Sequence, residues 1–371
     1  MNRILLTILT IWAALGAIGA PRVSLLTAAP GGEVFQLEGH SALRVTDPEA
    51  GVDYVVNWGV FDFNTPNFVG RFVAGETDYL CMAYPTRYFF GEYAAEGREV
   101  TEQVLALDSL QTAGLIGLIG ENLRPENRVY RYNYVRDNCA TRPLAFIEAA
   151  AGRKLLGDAP EGTTWRNEMR RYHRDFPWYQ FGIDLALGRG IDAPISEREA
   201  AFAPVFLRDR LPADIVGETR TYGSQTLRNE PTPWPLTPMA AALAVLLLSL
   251  GACLMKRPQW VDSLLFGVFF ILGCLLTYLI FISTHEATSP NLLLLWLNPF
   301  CLLGAVLPWL KSAKKAEISY FFVNFALLIL LAVLVPLLGR GMNPAFWPLI
   351  AADAVRSLDN IRRCTKTVDR S

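Results

Sequence analysis

The chain has 371 residues, of which 52% are hydrophobic, and its mean hydropathy is +0.25. That is too apolar for an ordinary water-soluble protein of this size and suggests that two different halves are averaged together. The formal net charge of −1 gives no electrostatic footprint for a nucleic-acid partner.

In chain order, residues 4–20 (ILLTILTIWAALGAIGA) form an apolar run behind Arg3, the pattern of a signal peptide or signal anchor. Residues 21–229 hold no spanning run and are rich in charge, aromatics and turn residues, as expected of a folded extracytoplasmic domain. VSLLTAAPGGEVFQLEGHSALRVTD reads as two strands around Pro30-Gly31-Gly32, and VDYVVNWGVFDF (52–63) as the next. NFVGRFVAGETDYLCMAYP (67–85) reads as a hairpin-like pair and REVTEQVLALD (98–108) as another strand. DSLQTAGLIGLIGENL (108–123) reads as a helix capped by Asp108 or Ser109. RVYRYNYVRDN (128–138) alternates like a strand, with Tyr130, Tyr132 and Tyr134 on one face, and PLAFIEAAAG (143–152) is a helix ending at glycine. The class is α+β with an antiparallel sheet.

A Pro-rich linker (230–238) leads into residues 239–371, an all-α transmembrane bundle with a basic tail. Apolar runs at about 237–255, 261–282, 292–310 and 318–338 each approach the ~20 residues that cross a bilayer. AFWPLIAADAV (345–355) is shorter and is interrupted by Asp353. Lys256 and Arg257 follow the first run, and Lys311, Lys314 and Lys315 follow the third. Arg356, Arg362, Arg363, Lys366 and Arg370 are read as tail. Positive loops belong in the cytoplasm, so these charges agree if residues 21–235 are outside, five helices follow and the tail is inside.

The chemistry centres on RDNCATRP (136–143). Pro143 is harmless only in a helix's first turn, so a helix begins near Thr141 or Arg142. Cys139 then ends a strand just ahead of a helix N-terminus, where the dipole and Arg142 favour a thiolate. Its base is one of two histidines in the domain: His40, at a strand start, or His173, on a basic helical stretch and read as a solvated surface residue. Elimination favours His40, with Asn57 on the following strand as the group that orients the imidazole and Asp62 as a weaker choice. Helix-start N–H groups, Asn138 and Arg142 are oxyanion candidates, although Asn138 also suits a turn cap. Asp137 reads as a turn or salt-bridge residue. Cys81 is the other cysteine of the exported domain, so a Cys81–Cys139 disulfide in a non-catalytic membrane scaffold is the rival reading. No metal-ligand set and no cofactor motif is present in the sequence.

The order His on a strand, a polar residue on the next strand, then Cys before a helix resembles a circularly permuted papain-like fold, as in lecithin:retinol acyltransferase and NlpC-type relatives. More closely, the chain resembles the Lnb family of bacterial lipoprotein N-acyltransferases. The resemblance rests on LLTAAPGG…GHSALRV (25–45), NWGVFDFNTPNF (57–68), YNYVRDNCATRP (132–143), FGIDLALGRGID (181–192) and STHEATSPNLLLLWLNPF (283–300). Ala140 stands where the family pattern has a second threonine. The resemblance implies a multi-pass inner-membrane enzyme with its Cys–His domain in the periplasm. It implies a phospholipid acyl donor and, as acceptor, the free α-amine of a diacylglyceryl-cysteine lipoprotein. Ser41 beside His40 is then a supporting residue, and His285, in a loop on the periplasmic side, is a candidate contact for a lipid headgroup. A peptidase or amidase acting on peptidoglycan would use the same Cys–His pair.

Overall fold

The computed structural model describes residues 20–61, 66–338 and 341–368. The apolar segment before residue 20 and Asp62 lie outside the described residues. Contacts divide the chain into two units. The first comprises the chain up to Phe68, Glu76–Glu168 and Pro194–Asn229; the second comprises Val69–Gly75, Met169–Ala193 and the chain from Glu230 onward.

The first unit is built on a seven-stranded antiparallel sheet. Its strands are β1 (Arg22–Ala28), β2 (His40–Asp47), β3 (Val52–Val60), β4 (Asp78–Pro85), β5 (Val100–Leu105), β6 (Val129–Arg131) and, after a separate pair β7 (Pro160–Thr164) and β8 (Pro194–Ser196), β9 (Val216–Tyr222). The spatial order is β6-β4-β3-β2-β1-β5-β9. β1 is an interior strand between β2 and β5, and every residue after Arg22 is buried. Val23, Leu25, Leu43, Val45, Val56 and Trp58 point to one face. They pack there on Leu115 and Ile119 of helix α3 (Ser109–Asn122) and on Leu144 and Ile147 of α4 (Thr141–Ala151). The alternate residues Leu26, Ala28, Ala42 and Val55 meet Phe89 and Tyr93 of α2 (Thr86–Ala95) on the other face. The period of two along each strand thus sorts the residues into two cores.

Asp108 caps α3 through a reciprocal capping box with Gln111, as its sequence suggests. Residues 67–85 differ from the expected hairpin: they form a short helix, α1 (Phe68–Ala74), and the single strand β4. Phe68/Phe72 and Val69/Val73 recur at a spacing of four, the helical period, and this outweighs the β-propensity of the individual residues.

The second unit is helical, with α5 (Pro177–Ala186), α6 (Pro238–Ala252), α7 (Gln259–Phe281), α8 (Cys301–Val306), α9 (Lys314–Leu337) and α10 (Phe346–Val368). Among the described residues, Gln259–Phe281 and Lys311–Leu337 are long and apolar enough to cross a membrane, while Pro238–Ala252 is a shorter apolar helix. The run 292–310 is not one helix. It consists of the 3-10 turn Leu292–Leu295, α8 and the turn Leu307–Trp309. Pro299 and Pro308 remove helical donors, and Asn291 and Asn298 each accept a backbone N–H two residues on.

The last helix is longer than its apolar stretch suggests, and Arg356 is an interior residue rather than part of a tail. Its guanidinium is fully buried and pairs with Asp262 of α7 at 2.7 Å and Asp359 at 2.9 Å. Asp353, which interrupts the apolar pattern, is buried and accepts from Asn324 Nδ2 at 2.6 Å and Ser357 Oγ at 3.1 Å. Buried charges and carboxylates are tolerated only when they are paired in this way.

Candidate active site

The site is assembled at the start of β2. His40 is the first residue of that strand, and its ring lies against Phe89 and Tyr93, with centroids 6.5 and 6.4 Å away. Asn57 is on β3, whose register pairs it with Ala42. Its Oδ1 lies 2.7 Å from His40 Nε2, and its Nδ2 donates to the Tyr84 hydroxyl at 3.1 Å. With the amide oriented by Tyr84, Nε2–H is the donor to Oδ1, and Nδ1 is left as the basic nitrogen.

A β-bulge follows Asn57 in the β3–β4 ladder. Gly59, in the bulge, has φ +86°, and a Cβ there would lie 3.4 Å from the Tyr132 ring and 3.9 Å from Cys139 Cβ. The bulge therefore brings bare backbone against the cysteine, a position that suits only glycine.

Cys139 precedes α4 by two residues, as Pro143 implies, but no strand runs into it. β6 ends at Arg131, and Asn133 and Asp137 then exchange backbone hydrogen bonds at 3.0 and 2.9 Å around a tight turn. Asn133 Oδ1 accepts the Val135 and Arg136 amides, so local side-chain bonding replaces the strand that the tyrosine alternation suggests. The three tyrosines separate: Tyr130 lies under the Arg142 guanidinium, the Tyr134 hydroxyl bonds Glu38, and the Tyr132 ring stacks on Tyr79 with centroids 4.5 Å apart. Ser41, buried beside His40, holds the cysteine: its hydroxyl donates to the Cys139 carbonyl at 2.7 Å.

The remaining candidates occupy supporting positions. Asn138 is buried and saturated: Oδ1 accepts the Ala140 and Thr141 amides at 2.8 and 2.9 Å, and Nδ2 donates to the Tyr134 and Phe202 carbonyls. The helix-start N–H groups are thereby consumed. Arg142 is held by Asp137 through two hydrogen bonds, at 2.5 and 2.8 Å, and covers the Tyr130 ring. His285 belongs to the second unit, where its Nε2 lies 2.8 Å from the Phe72 carbonyl. His173 is buried rather than solvated, with Nδ1 2.8 Å from Gln180 Oε1 and its ring on Tyr179, because the next helix folds back over it. Cys81 and Cys139 are both free thiols, and Cys81 lies in the sheet core.

The electrostatics differ from the thiolate expectation. Burial pushes the Cys139 thiol up to about 11, the Glu38 carboxylate adds to the rise, and the Ser41 amide and Tyr132 hydroxyl oppose it. Burial also lowers the His40 pKa below its ordinary value of 6.5, against the opposing pull of Asn57. Burial thus favours the neutral form of both groups, while Arg142 is paired with Asp137 and the Ala140 and Thr141 amides with Asn138. Tyr84 and Gly59 are residues whose part in the site the sequence does not suggest. The spacing of Gly59 two residues after Asn57 is the one local signal for them. No group of metal-ligating residues occurs among the described residues.

The antiparallel sheet thus carries His40 bonded to Asn57, with Cys139 held by Ser41, the residue next to His40. Residues 13–171 match the Lnb N-terminal periplasmic domain, and residues 229–367 match the Lnb transmembrane domain. The chain belongs to the Lnb family; it is a membrane protein with a periplasmic region, in a family associated with lipoprotein biogenesis. No curated protein and no solved structure matches the chain.

Proposed function

We propose that this protein is an inner-membrane, multi-pass enzyme of lipoprotein maturation. In this reading it moves a fatty acyl chain from a phospholipid to the N-terminal α-amine of diacylglyceryl-cysteine lipoproteins, with its Cys139 site on a permuted papain-like periplasmic domain. The observation that carries the reading is the joint placement of His40, locked to Asn57 at 2.7 Å, and Cys139, held by the residue next to His40. Membership of the Lnb family supports the lipoprotein substrate class.

The mechanism follows from the neutral pair. As the sulfur attacks an ester carbonyl of the phospholipid, the thiol proton passes to His40 Nδ1. The C–S bond forms, the C–O bond breaks, and the imidazolium returns its proton to the departing lysophospholipid oxygen. The lipoprotein α-amine, with an ordinary pKa of roughly 8, then attacks the thioester. The C–N bond forms, the C–S bond breaks, and the amine proton returns through His40 to sulfur. In this reading the Ser41 amide and the Tyr132 hydroxyl, which favour negative charge on Cys139, stabilise the oxyanion of each tetrahedral intermediate. Burial of Cys139 supports transfer over hydrolysis by keeping water from the thioester.

The test expresses wild type and Cys139→Ala in a bacterium depleted of its own lipoprotein N-acyltransferase and takes the mass of the N-terminal peptide of an abundant lipoprotein. An added amide-linked acyl chain with wild type alone is the expected result. No added chain with either protein overturns the acyl-transfer reading in favour of peptidoglycan hydrolysis by the same site. A chain added by both removes Cys139 as the nucleophile.

A further inference from the structure

α1 (Phe68–Ala74) contains no buried residue. Val69 is 73% exposed and Phe72 50% exposed, so the helix turns apolar side chains outward. Phe68 stacks on Phe61 with centroids 5.8 Å apart and the Phe72 ring meets His285 edge-on at 6.2 Å, while hydrogen bonds hold the C-terminal end. The Thr284 amide donates to the Ala74 carbonyl at 2.9 Å, and the Thr284 hydroxyl reaches the Ala74 and Gly75 carbonyls at 3.1 and 3.0 Å. His285 Nε2–H donates to the Phe72 carbonyl at 2.8 Å. The approach is close enough that a Cβ on Gly75 would lie 2.6 Å from Thr284 Oγ1.

These anchors immediately follow α7 (Gln259–Phe281), one of the two helices among the described residues that are long and apolar enough to cross a membrane. At that end of α7, Phe281 is 70% and Ile282 67% exposed. A spanning helix ends at the boundary between acyl chains and headgroups, so the hydrogen bonds to Thr284 and His285 fix α1 at that level. A short helix there with outward valine and phenylalanine continues the lipid-facing surface of the span, as interfacial segments do.

We propose that α1 is a membrane-contact element in which Val69 and Phe72 enter the headgroup–acyl boundary of the bilayer beside Phe281 and Ile282. Thr284 and His285 are its latch. The occupant of this apolar surface is phospholipid, and the proposal is independent of the acyl-transfer chemistry.

The experiment uses the full chain in vesicles of phosphatidylethanolamine and phosphatidylglycerol. A nitroxide label is attached through Val69→Cys or Phe72→Cys in a Cys253→Ser, Cys274→Ser background, which removes the two native cysteines that are not buried. Power saturation compares collisions with oxygen, which concentrates in lipid, and with a water-soluble nickel complex. Ile271→Cys, at an exposed position within α7, is the lipid reference, and Glu126→Cys, at an exposed position of the first unit, is the water reference. The expected oxygen-to-nickel ratio at both test positions lies on the Ile271 side of the midpoint between the references. A ratio matching Glu126 places α1 in water and overturns the proposal. Low collision with both reagents means that protein covers α1 and overturns it equally. Activity is not read, so failure here leaves the Cys139 reading to its own test.

Discussion

At the scale of single residues, the protonation of Cys139 decides how the site works. Its thiol is pushed up to about 11 and the His40 imidazole is held below 6.5, so neutral forms of both groups prevail near pH 7. Alkylation of Cys139 by a small uncharged reagent is therefore expected to be slow at neutral pH and to climb with pH toward a midpoint near 11. A plateau reached by pH 7 would mean a thiolate instead. The acid side of the activity profile follows His40: because its pKa is lowered, the imidazole stays basic to below pH 6.5, and kcat/KM falls only as pH drops through that lower value. Asn57→Ala frees the ring and is expected to lower kcat by about 10²-fold, the scale of general acid–base catalysis. Tyr84→Phe, which removes only the partner of the Asn57 amide, should cost less; steady-state kinetics of the two variants check the order.

Elements set these residues in place, and α4 shows how. Asn138 supplies the acceptor for the first two amides around the helix start and ties the turn to the Tyr134 and Phe202 carbonyls. Asn138→Ala removes the bonds to four backbone groups, two of them fully buried, and is expected to cost about 3 kcal/mol. Asn138→Asp keeps the two accepted bonds and should fall between it and wild type. Thermal unfolding of the full chain in detergent ranks the three. The start of α4 was legible because proline admits few positions in a helix. The turn before it was not, because Asn133 bonding its neighbours overrides an alternation that Tyr130, Tyr132 and Tyr134 carry as clearly as any strand.

Over the whole molecule, each unit has its own core and its own polar problem. In the helical unit the problem is Arg356, with no exposed surface and two carboxylate partners. Arg356→Met leaves the buried Asp262 without its guanidinium, while Asp359 keeps Arg363 at 2.7 Å, and is expected to destabilise by about 3–5 kcal/mol, as when one partner of a buried pair is removed. Arg356→Lys keeps the charge but cannot reproduce the fork held by Asp262 at 2.7 and 3.1 Å, so it should recover only part of the loss. Melting temperature and yield of the purified protein measure both.

Composition and order along the chain were sufficient for the division into a charged, strand-rich part and an apolar helical part, for the antiparallel sheet, and for Asn57 as a candidate partner of His40. Those features follow from local periodicity and from the few histidines available. Tertiary structure alone decided the protonation of Cys139, the burial of His173, the interior position of Arg356 and the grouping of Val69–Gly75 with the helical unit. The reason is common to all four. Each depends on which distant groups surround a side chain or close a hydrogen bond, and desolvation and pairing are properties of that enclosure rather than of neighbours in sequence.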